Sequence, residues 1–198
     1  FLSSRIPGNR RREENTSLTL HFPGLGLPSR TGCDFLLRSY WKSVHWFMMI
    51  FHAPSFEHEY RQILDSQCVS PRQGGTAILI LMVLAMGARY ASDEQISEVG
   101  ISRHDVSSLQ ENMLSHIRSQ FFDVLDTGGV ECVQLCILLS TYHLYNGKPN
   151  LAMPILGAGI RSAQAQGLHK ESLWGPATDI VLEVRKRTWW ALYVLDRY

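Results

Sequence analysis

Cys132 and Cys136 stand four residues apart, and His143 lies about two turns further along the same helical stretch. That spacing puts both thiols on one helix face, which is how half of a metal site begins. A closed site needs further ligands converging on the same point, and the sequence contains neither a CxxC nor an HExxH pair. The flanking Val133, Leu135, Ile137 and Leu138 are apolar, which favours buried thiols acting as small hydrophobes over metal ligands. His52 and His58 flank Ala-Pro-Ser-Phe-Glu, with Asp65 close behind, and could in principle serve acid–base or nucleophilic chemistry. No Ser-His-Asp order or nucleophile elbow organises them, so capping and packing roles are favoured. "GLGLP" follows no strand and "GGT" lacks the lysine of a phosphate loop.

The last candidate is "RKRTWWALYVLDRY", Arg185 to Tyr198. Cations beside aromatic rings can hold single-stranded nucleic acid by charge and stacking. Neighbouring helical residues point about 100° apart, so Trp189 and Trp190 cannot share one narrow stripe. With Leu192, Tyr193, Val194 and Leu195 they make a helix apolar over most of its circumference. Such a helix is expected to be buried, with Arg185, Lys186 and Arg187 on an exposed entry turn.

The elements that would position these residues read as helices throughout. Residues 1 to about 30 are broken by Pro7, Gly8, Pro23, Gly24, Gly26 and Pro28 and read as a linker, 1–32. Its Arg10-Arg11-Arg12 cluster is answered at once by Glu13-Glu14, which favours a solvated charge run over a DNA-binding arm. From Cys33 to Phe51 apolar residues recur at spacings of three and four and predict one helix. Pro54 biases Ala53 away from helix, so a second helix is expected to start at a Ser55 cap and run to about Leu64. "TAILILMVLAMGARYAS" is apolar nearly all round and predicts a buried helix. An amphipathic helix is expected from about Asp105 to Leu125, lined by Leu109, Met113, Ile117, Phe121 and Val124. Two more, Val130 to Tyr145 and Leu151 to Gln166, flank the turn "NGKPN", with Gly167 as cap; Gly157 and Gly159 suggest a close helix crossing. The final helix is expected from Thr178. The fold class is all-α, a multi-helix bundle of antiparallel helix pairs truncated at the C-terminus.

Composition excludes several classes. A net charge of +1 gives no global pull toward nucleic acid or an anionic membrane. Four scattered cysteines (Cys33, Cys68, Cys132, Cys136) form no secreted disulfide framework and suggest a reducing compartment. The longest apolar run, Ala77 to Met86, is about half a membrane span, so no membrane partner is expected. The chain begins with Phe, shows no signal peptide and closes inside a helical pattern, and is read as part of a larger protein.

Four segments occur in a fixed order: "SYWKSVHWFMMIFHAPSFEHEY", "LMVLAMGARYAS", "VECVQLCILLSTYHLYNGKPNLAMPILGAGIRSAQAQGLHKE" and "EVRKRTWWALYVLDRY". Together, from about residue 34 to the end, they resemble the fungal-specific transcription factor domain, the middle homology region of fungal zinc binuclear cluster transcription factors. "GxxIRxAQxxGLHKE" and "ExRKRxWWxLYVLDR" carry most of the resemblance.

The resemblance implies that 33–198 is an incomplete, non-catalytic regulatory domain of a nuclear factor controlling transcription by RNA polymerase II. Zinc and sequence-specific DNA binding would reside in a six-cysteine cluster in a missing N-terminal part, since four scattered cysteines cannot supply it. No cofactor or metal is expected in this chain; a small-molecule inducer, a coregulator protein and a homodimer are the expected partners. Carried onto this sequence, Gly167, Leu168 and His169 would end a helix at a fixed turn. Glu183, Arg185 and Arg187 would pair with each other or with a neighbouring helix, with Arg161 and Asp196 as further candidates for that network, and Arg197 would belong to the same structural motif. Trp189, Trp190 and Tyr193 would lack some of the packing partners that the family pattern supplies beyond this segment. Two rivals stand beside this reading. One is a helical protein-interaction scaffold, for which 130–166 has the size of one tetratricopeptide-like unit but no second copy. The other is a small-molecule enzyme using His52 or His58.

Overall fold

Every residue from Gly75 to Ala88 is buried, and the rest of the molecule is arranged around that fact. These residues belong to α3 (Gly74–Tyr90), in a computed structural model that describes residues 27–66, 69–70, 73–98 and 100–197. The other helices are α1 (Arg30–Tyr40), α2 (Ala53–Ser66), α4 (Asp93–Glu98), α5 (Arg103–Thr127), α6 (Val130–Tyr145), α7 (Pro149–Ala165) and α8 (Asp179–Arg197). No strand is present among the described residues, and the class is all-α as expected. The Arg10-Arg11-Arg12 cluster and Cys68 lie outside the described residues.

An isotropically apolar helix is stable only if neighbours cover it on every side. α3 is covered by α1, α2, α5 and α6. The α1 crossing is the tightest: a Cβ on Gly87 would fall onto the Leu36 carbonyl, and the Gly87 carbonyl accepts from Ser39 Oγ at 2.9 Å. α6 is the second central rod, buried from Cys132 to Thr141 and again at His143. α7 packs along it where Gly159 faces Cys136: an added Cβ would sit 2.7 Å from Cys136 Cβ. The other glycine expected at a crossing, Gly157, faces open space. α5 buries Met113, Ile117 and Val124, while Leu109 and Phe121 pack partly buried against the core.

Four sequence expectations are corrected. The helix read from Cys33 to Phe51 begins earlier and stops earlier. Ser29 caps it, accepting from Gly32 N at 3.3 Å, and of the helix Arg30–Tyr40 only the first three residues fall inside the stretch read as a linker. The chain then widens into a π-helical turn over Trp41–His45 and leaves helix altogether, exposing Trp46, Phe47 and Met49. Aromatic crowding accounts for the widening: Tyr40, Trp41, His45, Phe51 and Phe56 form one cluster, with Trp41–His45 centroids at 4.6 Å and Phe51–Phe56 at 4.7 Å. Second, α2 starts at Ala53, with Pro54 in its first turn, where a missing N–H removes no helical hydrogen bond. Ser55 Oγ pairs with His52 Nδ1 at 2.7 Å. Third, α4 is unforeseen. It is a short turn closed by Ser92, whose hydroxyl accepts from Gln95 N at 3.2 Å while Gln95 Oε1 accepts from Ser92 N at 3.1 Å. Fourth, α8 is not buried on most sides; of its residues only Thr188 and Leu192 are.

Candidate functional site

One concavity collects side chains that are far apart in sequence. A cavity of about 740 Å³ opens between the start of α2, the N-termini of α3 and α6, the segment after α7 and the first half of α8. Phe51, Phe56 and Trp174 supply aromatic wall, and Glu59, Glu131 and Arg185 supply charge.

Each is set by local structure. Glu59 projects from α2 and is exposed at the mouth. Desolvation by its surroundings, and then the charge of Glu131, raise its carboxyl pKa, against a hydrogen bond from Thr76 and the proximity of His58. Glu131 occupies the first turn of α6, where the helix dipole favours a carboxylate. Arg185 is half-buried on α8, with no ion-pair partner among the described residues. Its neighbours are paired: Lys186 Nζ lies 3.3 Å from Glu171, and Arg187 Nε donates to Glu183 at 2.8 Å. Trp174 is fixed over the cavity because its Nε1 donates to the Gly167 carbonyl at 3.0 Å.

That carbonyl belongs to the turn expected at Gly167, Leu168 and His169. Gly167 has φ 71°; its N–H bonds Gln164 O at 3.0 Å and the Leu168 N–H bonds Ala163 O at 2.9 Å. This pair of bonds closes the last turn of α7 as a Schellman motif. Leu168 is buried, and His169 is exposed with its ring 5.9 Å from Trp189. The ion pairs expected on α8 reduce to Glu183–Arg187, an exposed i,i+4 pair worth about 0.2–0.5 kcal/mol. Arg161 bonds Gln164 at 3.1 Å rather than joining that pair. Asp196 is exposed, and Arg197 lies over the Tyr193 ring at 5.0 Å. Trp189 packs against the core, whereas Trp190 is 57% exposed, with its ring edge-on to Tyr193 at 5.6 Å.

The other chemistry-bearing residues do not assemble a reaction centre. His52 is held by Ser55, and no carboxylate bonds its ring among the described residues. The α6 cysteines are buried; Cys136 is pushed up to about 12 by burial, and Cys132 is raised by the same cause while its thiol sits 2.9 Å from Ser162 Oγ. Among the described residues no group of three His, Cys, Asp or Glu side chains could hold a metal ion, and no helix is long and apolar enough to cross a membrane. Sequence reasoning named Arg185 but missed the cavity. It is built from five elements, and only the glycine pair at 128–129 and the first-turn Glu131 gave any local sign of its floor.

These features describe an all-α domain with a side-opening cavity. Residues 37–198 match the fungal specific transcription factor domain, and the chain belongs to that family. Its relatives are transcriptional regulators. It is 28% identical over 186 residues to the thiamine repressible genes regulatory protein of Schizosaccharomyces pombe, covering 94% of this chain and 24% of that protein. Transcription factor lepE of Aspergillus flavus is 25% identical over 167 residues, covering 82% of this chain and 19% of that protein. The terreic acid cluster-specific transcription factor atF of Aspergillus terreus is 28% identical over 179 residues, covering 86% and 26%. The chain thus spans about a quarter or less of the curated relatives it matches most strongly. No solved structure matches it.

Proposed function

We propose that this chain is the regulatory domain of a nuclear zinc-cluster factor that controls transcription by RNA polymerase II, and that it acts through helix rearrangement rather than catalysis. Sequence-specific DNA binding and zinc would belong to another part of the full-length protein. The domain would answer to a small-molecule inducer or a coregulator protein, in a monomer or a homodimer. The observation that carries this reading is the family match over 37–198, joined to relatives whose names describe gene regulation. The cavity between α2, α6 and α8 supports it, because a ligand there would touch helices that belong to different layers of the bundle.

Tethering the chain to an unrelated DNA-binding domain upstream of a yeast reporter tests the proposal. Reporter output should change relative to the DNA-binding domain alone, while the purified chain should show no sequence-specific retention of promoter fragments. Unchanged output, or promoter-specific binding by these 198 residues, would overturn the division of roles.

A further inference from the structure

The cavity beside α8 contains charges of both signs that do not bridge one another. Glu59 and Glu131 act on each other, and Arg185 is not among the charges that act on Glu59. Arg185 has no ion pair among the described residues, although Lys186 and Arg187 on the same helix turn each have one. The remaining wall combines Phe51, Phe56, Trp174 and aliphatic side chains with a few neutral polar groups, Gln134 and Gln166 among them. At about 740 Å³ the space falls within the range of roughly 300–1,000 Å³ typical of small-molecule sites.

Charges of opposite sign that line one concavity without pairing are complemented together only by a ligand that carries both signs. A simple anion would satisfy Arg185 and leave the two carboxylates facing each other. A simple cation would separate the carboxylates and leave the guanidinium alone. We infer that the cavity binds a small zwitterion with an apolar body, its ammonium group held by Glu59 and Glu131 and its carboxylate by Arg185. Arg185 offers a planar fork that matches a carboxylate in two-point fashion. The apolar body would lie against the Trp174 indole, which the Gly167 carbonyl already holds in place. Such a ligand would tie α2 and the start of α6 to α8, and in this respect the inference rests on the regulatory reading above.

Calorimetry and thermal melting of the 198-residue chain test it with matched probes. The probes are phenylalanine, tryptophan, leucine and methionine, each with the amine that lacks its carboxylate and the acid that lacks its amine. At least one amino acid should bind and raise the melting temperature, with its amine and acid counterparts about tenfold weaker or more, the loss expected for one charge-assisted contact. Arg185→Gln should remove the advantage over the amine, Arg185→Lys should restore part of it, and Glu59→Gln with Glu131→Gln should remove the advantage over the acid. Arg187→Gln, outside the cavity lining, should change neither. The inference fails if no amino acid binds, if zwitterion, amine and acid bind alike, or if the Arg185 and glutamate variants, folded by circular dichroism, bind as tightly as the parent. A chain that binds none of them yet still alters the tethered reporter would keep its regulatory role and lose this ligand class.

Discussion

α3 and the second half of α8 both carry dense apolar runs and end up in opposite places. Both read as apolar over most of their circumference, yet α3 is buried from Gly75 to Ala88 and α8 buries Thr188 and Leu192 alone. The difference lies in what surrounds them. α3 has α1, α2, α5 and α6 around it, so each face finds a partner. α8 packs chiefly on α6 and α7, so one strip is covered and the strip with Trp190 and Val194 faces water. Burial is therefore a property of the neighbourhood as much as of the helix, and adjacent tryptophans separate the two cases within one turn. Trp189 packs on the core and Trp190 does not.

That contrast can be broken or sharpened by substitution. The largest effect should come from Gly87→Ala, where the new methyl meets the Leu36 backbone rather than a movable side chain. A loss of about 3 kcal/mol or more in urea unfolding is expected, despite the better helix propensity of alanine. A loss below about 1 kcal/mol would mean that the α1–α3 crossing is looser than described. Next come Leu84→Ala on α3 and Leu192→Ala on α8, both fully buried in the parent. Each should cost about 2–5 kcal/mol, with Leu192→Ala nearer the lower bound because an edge helix can collapse onto the space. Equal losses would erase the distinction between central rod and edge. Trp190→Ala should change stability by about 0.5 kcal/mol or less, as expected for an exposed side chain; a loss in the range of about 3–5 kcal/mol would place that ring in a core after all. The smallest effect should be Arg187→Ala, about 0.2–0.5 kcal/mol at low salt and vanishing in 1 M salt, roughly three times shorter in screening length than 0.1 M.

Much of this molecule is visible in its residues before any coordinates. Periodicity placed α6 at its observed ends because the glycine pair before it and Asn146-Gly147 after it are strong local stops. Gly159 announced a close crossing, and the structure places Cys136 there. Where reading failed, the deciding interactions were non-local. The π-helical turn at Trp41–His45 packs against rings at Phe51 and Phe56 that fold back on it from beyond the helix. The cavity is less legible still: Glu59, Glu131 and Arg185 each look like an ordinary solvated charge until α2, α6 and α8 bring them together. Pairing on α8 is more legible, since Arg187 follows Glu183 at i,i+4 and Arg185 has no acid at that spacing.

Gln134 sits at the centre of α6 and is buried, and its side-chain amide donates to two acceptors, Ile50 O at 2.8 Å and Thr188 Oγ1 at 3.3 Å. One acceptor belongs to the link between α1 and α2, the other to α8. A single amide group thus acts as a mechanical linkage with three arms. If α8 swings outward and carries Thr188 with it, the amide loses one acceptor, and a buried donor left unpaired costs about 1–3 kcal/mol. Motion of the last helix is therefore priced at the middle of the bundle and transmitted to the backbone beside the aromatic cluster, so the edge element that looks least constrained is coupled to the part of the molecule that can move least.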